Sequence, residues 1–470
     1  MKIMQAVGWG AAPRALDHPT CFRVGLRPSL RLTTRALALL ACLAAPVWAS
    51  PDPPGAPQDH PIALVGGVIH PVAGPEIRDA VLLFDGGKIV AVGKDVALGA
   101  DVERIELNGR HVYPGFIDAF TQLGLVEIPM VKATADQNET GRINPNVKAH
   151  VAVNPDSEAI PVARSGGVLT ALSVPTGGLI TGTSSLIHLD GWTTEDLTVK
   201  PVCAIHVRWP RMSPIQTWRQ EMSDQEQLLS RDKALVELRE AVADARAYYK
   251  HRQVHKDGAG RLHDFDARWE AFVPVFEGRA PLVVDADEIQ QIQSAVAFCE
   301  QEKLKLIIAG GYDAPECAAL LKKHEVPVII GGVHRLPRRR DDPYDAPFTL
   351  PERLRDAGIP FCISSADSPS MVRNLAHHAG TAAAYDLSPE EAVKAITLSA
   401  AEILGIADRL GSLEAGKDAT LIVVSGDPLE IPAQVELAFI QGRKVPLDDR
   451  QKRLWEKYKE KYRRLGVENP

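Results

Sequence analysis

The stretch Leu282–Ile330, LVVDADEIQQIQSAVAFCEQEKLKLIIAGGYDAPECAALLKKHEVPVII, carries the pattern that decides the fold. Leu282-Val283-Val284, Leu304 to Ile308 and Val326 to Ile330 are short apolar runs of strand length. Between them lie helix-length segments. In the first, Ile289, Ile292, Val296 and Cys299 recur on one helical face. In the second, Pro315 to His324 reads the same way. Alternation of buried strands with amphipathic helices is the signature of a parallel sheet.

Working outward, the same alternation extends over 114–410. Phe361-Cys362-Ile363 is a further strand, followed by a predicted helix from Met371 to Tyr385. Ser388-Pro389-Glu390-Glu391 then supplies a cap, a first-turn proline and a capping-box acid. Val393, Ile396, Ala400 and Ile403 form the expected buried stripe of that helix. An insertion between Arg211 and Gly278 carries a long polar helix around Leu235, Leu238, Val242, Ala245 and Tyr249. Both flanks of the α/β centre are β-rich. On the N-terminal side, Val81 to Phe84 meets Lys88 to Val92 across Asp85-Gly86-Gly87, a hairpin signal. On the C-terminal side, Ala419 to Val424 and Val435 to Gln441 read as strands. The economical reading pairs 62–113 with 411–446 as one composite β-sandwich beside the 114–410 unit. The tail, 447–470, reads as a basic amphipathic helix lying over the protein's own surface.

Arg31 and Arg35 precede the apolar run Ala36 to Ala45, and Val47-Trp48-Ala49 offers small residues where a signal peptidase cuts. Residues 1–49 therefore read as a secretory signal, with a mature start near Ser50 and a periplasmic or secreted location. The run is too short for an ordinary bilayer span, and no later stretch qualifies as one. Residues 50–61 read as a linker. Beyond the signal, Cys203, Cys299, Cys317 and Cys362 show no CxxC pairing, so a disulfide is permitted but not required. The net charge of -7 and the absence of a large basic block argue against nucleic acid as a partner. A small-molecule substrate or ligand is expected, and a homo-oligomer stays open.

Three stretches together resemble the amidohydrolase superfamily, and its imidazolonepropionase-like branch in particular. Tyr113-Pro114-Gly115-Phe116-Ile117-Asp118-Ala119 is similar to its first barrel strand. Leu387-Ser388-Pro389-Glu390-Glu391-Ala392 is similar to the helix after its last strand. Gly411 to Ala419 with Gly426-Asp427-Pro428 is similar to its C-terminal β segment. The resemblance spans nearly all of Ile62 to Val445. It implies a TIM-type (β/α)8 barrel with a small composite β-sandwich. It also implies hydrolysis of non-peptide C–N bonds by metal-activated water.

The metal-ligand positions that the resemblance implies are altered here. Where a His-x-His pair is expected after the first strand, the chain has Phe120-Thr121-Gln122. The fifth-strand position falls in Asp285-Ala286-Asp287, and the sixth-strand position at Gly310. The eighth-strand aspartate has a counterpart in Asp367. A stable zinc site takes three or four N, S or carboxylate ligands. Asp285, Asp287 and Asp367 form an all-oxygen set that suits Mg²⁺ or Ca²⁺ better. No cofactor, or a weakly bound divalent cation, is expected in place of a binuclear transition-metal centre.

Asp367 has two readings, a base acting on water or a helix cap before Ser368-Pro369. Asp285 and Asp287 also have two, a cation site on one strand face or acids at a helix N-terminus. His334 and Arg335 follow the seventh strand and lie over the barrel mouth, with Arg338-Arg339-Arg340 nearby. They suit an anionic substrate, or else form a solvated loop paired with Asp341 and Asp342. Gly177, Gly178 and Gly182 make a flexible loop at the mouth, lacking the lysine of a P-loop. His206 and His377-His378 have no metal-site spacing, and adjacent helical residues diverge. The leading function is an amidohydrolase-type hydrolase with altered or reduced metal dependence. The rival is an inactive binding protein on the same scaffold.

Overall fold

The computed structural model describes residues 53–217, 220–256, 264–365 and 368–467. The expected signal segment and its expected cleavage point lie outside these residues, and so does Asp367.

Alternating apolar residues build the first sheet from both ends of the chain. Its N-terminal strands are β1 (Ile62–Ile69), β2 (Ile77–Asp85), β3 (Lys88–Gly93), β4 (Glu103–Glu106) and β5 (His111–Pro114). The β2–β3 hairpin turns at Gly86 and Gly87, both with positive φ. Residue 108, an asparagine at φ 51°, and Gly109 at φ 81° turn the chain between β4 and β5, which both run parallel to β1.

The second sheet comprises β6 (Phe116–Thr121), β7 (Val168–Ser173), β8 (Ile180–His188), β9 (Thr198–Arg208), β10 (Leu282–Ala286), β11 (Leu306–Gly310), β12 (Val328–Ile330) and β13 (Phe361–Ile363). Its strands pair in sequence order around a nearly closed TIM-type barrel. One departure from a regular (β/α)8 pattern appears: β8 runs antiparallel to both β7 and β9. The fourth strand is therefore reached by a meander. Ser184 and Ser185 of β8 are buried, and their hydroxyls bond to the carbonyls of Ala204 and Pro201 on β9. These polar residues hide the strand from a reading based on apolar runs.

Strand pleating sorts the side chains into two layers. Ile117, Leu172, Leu186, Val283, Ile307, Ile329 and Cys362 fill the barrel interior. Leu282, Val284, Ile308 and Val328 face outward onto helix residues such as Ile292 and Val296. Ile289, expected on that stripe, is 37% exposed because it opens the helix Ile289–Glu302. At the seam, Ser365 follows β13 and donates to Asp118 of β6 through both its backbone N–H (3.2 Å) and its hydroxyl.

The C-terminal strands are β14 (Leu421–Val424), β15 (Val435–Ile440) and β16 (Arg443–Lys444). They join the first sheet in the order β16-β15-β14-β5-β1-β2-β3, with β14 antiparallel to β5 at Tyr113 and Ile422. Phe84 and Phe439, one from each end of the chain, meet edge-on at 5.0 Å in its core. The capping box expected at Ser388 and Glu391 is formed. Its helix stops at Ala395 and a second begins at Leu398, with Thr397 between them donating to the Val393 carbonyl. The insertion folds as the helix Asp224–Lys256, with Leu238, Val242 and Ala245 buried. The four cysteines anticipated are buried and free. The tail helix, Arg450–Arg464, does not lie against the protein as expected; none of its residues is buried.

Candidate active site at the barrel mouth

The C-terminal ends of β10 to β13 and the loops that follow enclose a cavity of about 270 Å³. Phe120, Asp285, Gly310, His334, Arg335 and His378 are among the residues lining it. The mouth of such a barrel is where this architecture places chemistry.

Asp285 and Asp287 both reach the cavity, but not as the cation pair considered above. β10 ends at Ala286, so Asp287 has left the strand face that Asp285 occupies. Asp287 accepts the Tyr312 N–H at 3.2 Å and pairs with the Arg338 guanidinium. Asp285 is half-exposed and faces Arg208 at 4.0 Å. Gly310, where the family resemblance implies a histidine, makes room for this arrangement. A Cβ there would approach Asp287 Oδ1 to 2.7 Å, and φ is +92°. Phe120, in the place of another implied ligand, packs on the His206 ring at 5.7 Å. Burial lowers the His206 pKa to about 3, and its Nε2 has no hydrogen-bond partner among the described residues. Among the described residues, no three His, Cys, Asp or Glu side chains converge as metal ligands. The described donor set does not fit a binuclear transition-metal centre.

The arginine loop after β12 splits in use. Arg338 goes to Asp287, and Arg339 grips Asp313 through both terminal nitrogens, one at 2.9 Å. The Tyr312 hydroxyl donates to Asp342 at 2.8 Å, which also accepts the Arg339 N–H at 2.9 Å. Asp342 serves this loop as expected, but Asp287 and Asp313 come from elsewhere. Arg335 differs. Its guanidinium sits 5.4 Å from the Tyr312 ring centre, and among the described residues its buried Nε and Nη2 meet no hydrogen-bond partner. Burial lowers its pKa, an effect the nearby Asp287 charge partly offsets.

His378 was the residue sequence reasoning missed. Leu375, His378, Ala379 and Ala382 share the buried face of the helix Leu375–Ala384. That spacing was the signal that separates His378 from its neighbour His377. The His378 and His334 rings lie 4.2 Å apart. His334 itself is exposed, and its Nε2 bonds to the Thr381 hydroxyl at 2.7 Å. The His334 N–H donates to His378 Nδ1 at 3.4 Å. Burial and the neighbouring histidines lower the His378 pKa to about 3, so the ring is neutral. With Nδ1 accepting, the ring proton belongs on Nε2, which is buried and has no hydrogen-bond partner among the described residues. Gly332 permits this placement, since a Cβ there would lie 2.8 Å from His378 Cε1.

Gly177 and Gly178 do not line this cavity. Their φ values are +84° and +75°, and a Cβ on either would strike Asn138 or the Arg142 carbonyl. They hold the loop against its neighbour. Gly178 borders a separate cavity whose Arg142 and Arg211 are paired with Glu237 and Glu288. A larger groove, about 720 Å³, lies between residues 136–152 and 265–274 and contains none of the residues assigned from sequence.

Residues 287–445 match the amidohydrolase family. An imidazolonepropionase of Erwinia tasmaniensis is 33% identical over 169 residues, 35% of this chain and 39% of that protein. The Brucella anthropi imidazolonepropionase is 25% identical over 375 residues, 74% of this chain and 87% of that one. A solved amidohydrolase from Thermotoga maritima superposes with a TM-score of 0.73 at 24% identity, over 82% of this chain and 99% of that one. The match spans 39% of the Erwinia protein and 36% of a third curated relative.

Proposed function

We propose a function from one premise: the chain belongs to the amidohydrolase superfamily, on its imidazolonepropionase-like branch. It is a hydrolase of non-peptide C–N bonds in a small molecule that carries a carboxylate, and it works with little or no transition metal. One observation carries this reading. Arg335 and His378 line one cavity with buried donors that no described residue partners. Buried donors are normally satisfied, and a site that leaves three open matches a ligand that brings acceptors. Arg335 suits the carboxylate, and the neutral His378 Nε2–H suits a carbonyl oxygen on which charge develops.

The residues act by binding and charge stabilisation. Arg335 fixes the substrate, and His378 donates to the oxygen of the bond under attack. Asp367, assigned from sequence, takes the proton of the attacking water. The family's metal would make that water more nucleophilic. Here a weakly bound divalent cation near Asp285 is the most the described residues favour. The signal segment supports a periplasmic or secreted site of action.

Phe120 favours a second reading, a binding protein without catalysis, because it puts an inert ring where the resemblance implies a ligand. One assay separates the two. Imidazolone propionate and small carboxylate-bearing amides are incubated with chelator-treated protein and with an Asp367→Asn variant. The proposal expects turnover that survives chelation and falls about a hundredfold in the variant. It also expects below about a tenth of an equivalent of zinc per chain, against one or more for a ligated site. Near-stoichiometric zinc whose removal abolishes hydrolysis would contradict it. Binding with no turnover of any compound would select the second reading.

A further inference from the structure

We infer that the C-terminal helix Arg450–Arg464 is a docking surface for an anionic lipid bilayer, lying flat on it. The helix carries eight Lys and Arg against two Glu, in a chain whose overall charge is -7. At 3.6 residues per turn, Leu454, Trp455, Tyr458, Tyr462 and Leu465 fall on a single face. That face is uncovered: Trp455 is 60% exposed, Tyr458 48% and Leu465 65%. Among the described residues the fold holds only the start of the helix, where buried Asp449 accepts the Lys452 N–H (2.9 Å) and the Ser165 hydroxyl (2.8 Å).

Charge placement selects the occupant. Lys452 and Lys459 border one edge of the aromatic stripe, and Arg450 and Lys461 the other. The Lys459 ammonium rests 4.4 Å from the Trp455 ring centre. Glu456 and Glu460 lie on the opposite face. An aromatic stripe with cations along both edges matches the boundary between acyl chains and anionic headgroups. No helix among the described residues is long and apolar enough to cross a membrane, so contact would be at the surface. Pairing of this face with a second copy would set two strongly cationic helices side by side, which disfavours that occupant.

Co-sedimentation of the full chain with vesicles tests this. Phosphatidylglycerol mixed with phosphatidylcholine is compared with phosphatidylcholine alone. Binding to the anionic vesicles is expected to be at least about tenfold tighter and to weaken with salt. The triple variant Trp455→Ser, Tyr458→Ser, Tyr462→Ser should bind about tenfold more weakly, and Lys452→Glu with Lys459→Glu more weakly still. Glu456→Gln, on the far face, should not weaken binding. All these positions are exposed, so an unchanged thermal midpoint verifies folding. Equal affinity for neutral and anionic vesicles would overturn the inference, as would full binding by the triple variant. A lipid-free dimer that the triple variant dissociates would assign the face to a second copy and also overturn it.

Discussion

Arg335 and Arg339 leave the same loop after β12, and their guanidiniums meet opposite fates. Arg339 is bound at both terminal nitrogens by Asp313, and its loop is cross-tied through Tyr312 and Asp342. Arg335 is the more deeply placed of the two, yet among the described residues Nε and Nη2 have no hydrogen-bond partner. Burying a charge without hydrogen bonds costs stability, so a site that keeps one needs a reason. The contrast separates scaffold from site. Where the protein meets its own polar groups, as around Asp287 and Asp313, it is building shape. Where donors stay open among the described residues, as at Arg335 and His378, the proposed substrate would supply the acceptors.

Three changes would sharpen or break that contrast on the scaffold side. The largest effect is expected from Gly310→His, which restores a residue type the family resemblance implies. The side chain would collide with Asp287 at a positive φ, and chemical denaturation should show a loss of about 4 kcal/mol. Unchanged stability together with stoichiometric zinc uptake would mean that the mouth is still a metal site in waiting. Next comes Arg339→Ala, which strands the nearly buried Asp313 carboxylate. Arg339 is 43% exposed, so solvent screens part of the loss, and about 2 kcal/mol is expected in the same measurement. A neutral result would erase the distinction between the two arginines.

The smallest effect concerns Asp118 at the barrel seam. Burial raises its pKa from 3.8 to about 7, against the bonds from Ser365 and Phe120. The folded state then keeps a proton that the unfolded chain has already released. Its contribution to stability falls as pH rises from about 4 to about 7 and levels off above. Asp118→Asn should therefore gain stability relative to the parent across that window. Unfolding curves at several pH values would show the two proteins diverging. Parallel pH profiles would remove Asp118 as the titrating group.

Much of this architecture was readable because its elements bury apolar side chains in regular periods. Val283, Ile307 and Ile329 mark their strands by composition alone, and Ser388 with Glu391 marks a helix start by capping chemistry. β8 was not readable because it is rich in buried Ser and Thr, whose hydroxyls are satisfied by neighbouring carbonyls rather than by burial of carbon. At the site, Arg335 and His334 were placed correctly over the barrel mouth, since their position after β12 fixes them there. Their difference in partnering was invisible, because it depends on Asp287 and Asp313, which arrive from the segments that follow β10 and β11. Gly177 and Gly178 looked like a substrate loop, but their positive φ and close neighbours give them a structural task. Gly310 read as a missing ligand; its second meaning, space for Asp287, appears only in three dimensions.

The central claim is that Arg335 awaits an anion, and calorimetric titration tests it most directly. Parent and Arg335→Met are titrated with N-acetylglycine and with its neutral methylamide. The account predicts that the parent prefers the carboxylate by about tenfold or more, and that the variant loses this preference. The unliganded variant should be no less stable, gaining about 1 kcal/mol where a buried guanidinium with unsatisfied nitrogens is replaced by an apolar side chain. Equal affinity for the two compounds in the parent would contradict the account, as would a carboxylate preference that survives Arg335→Met.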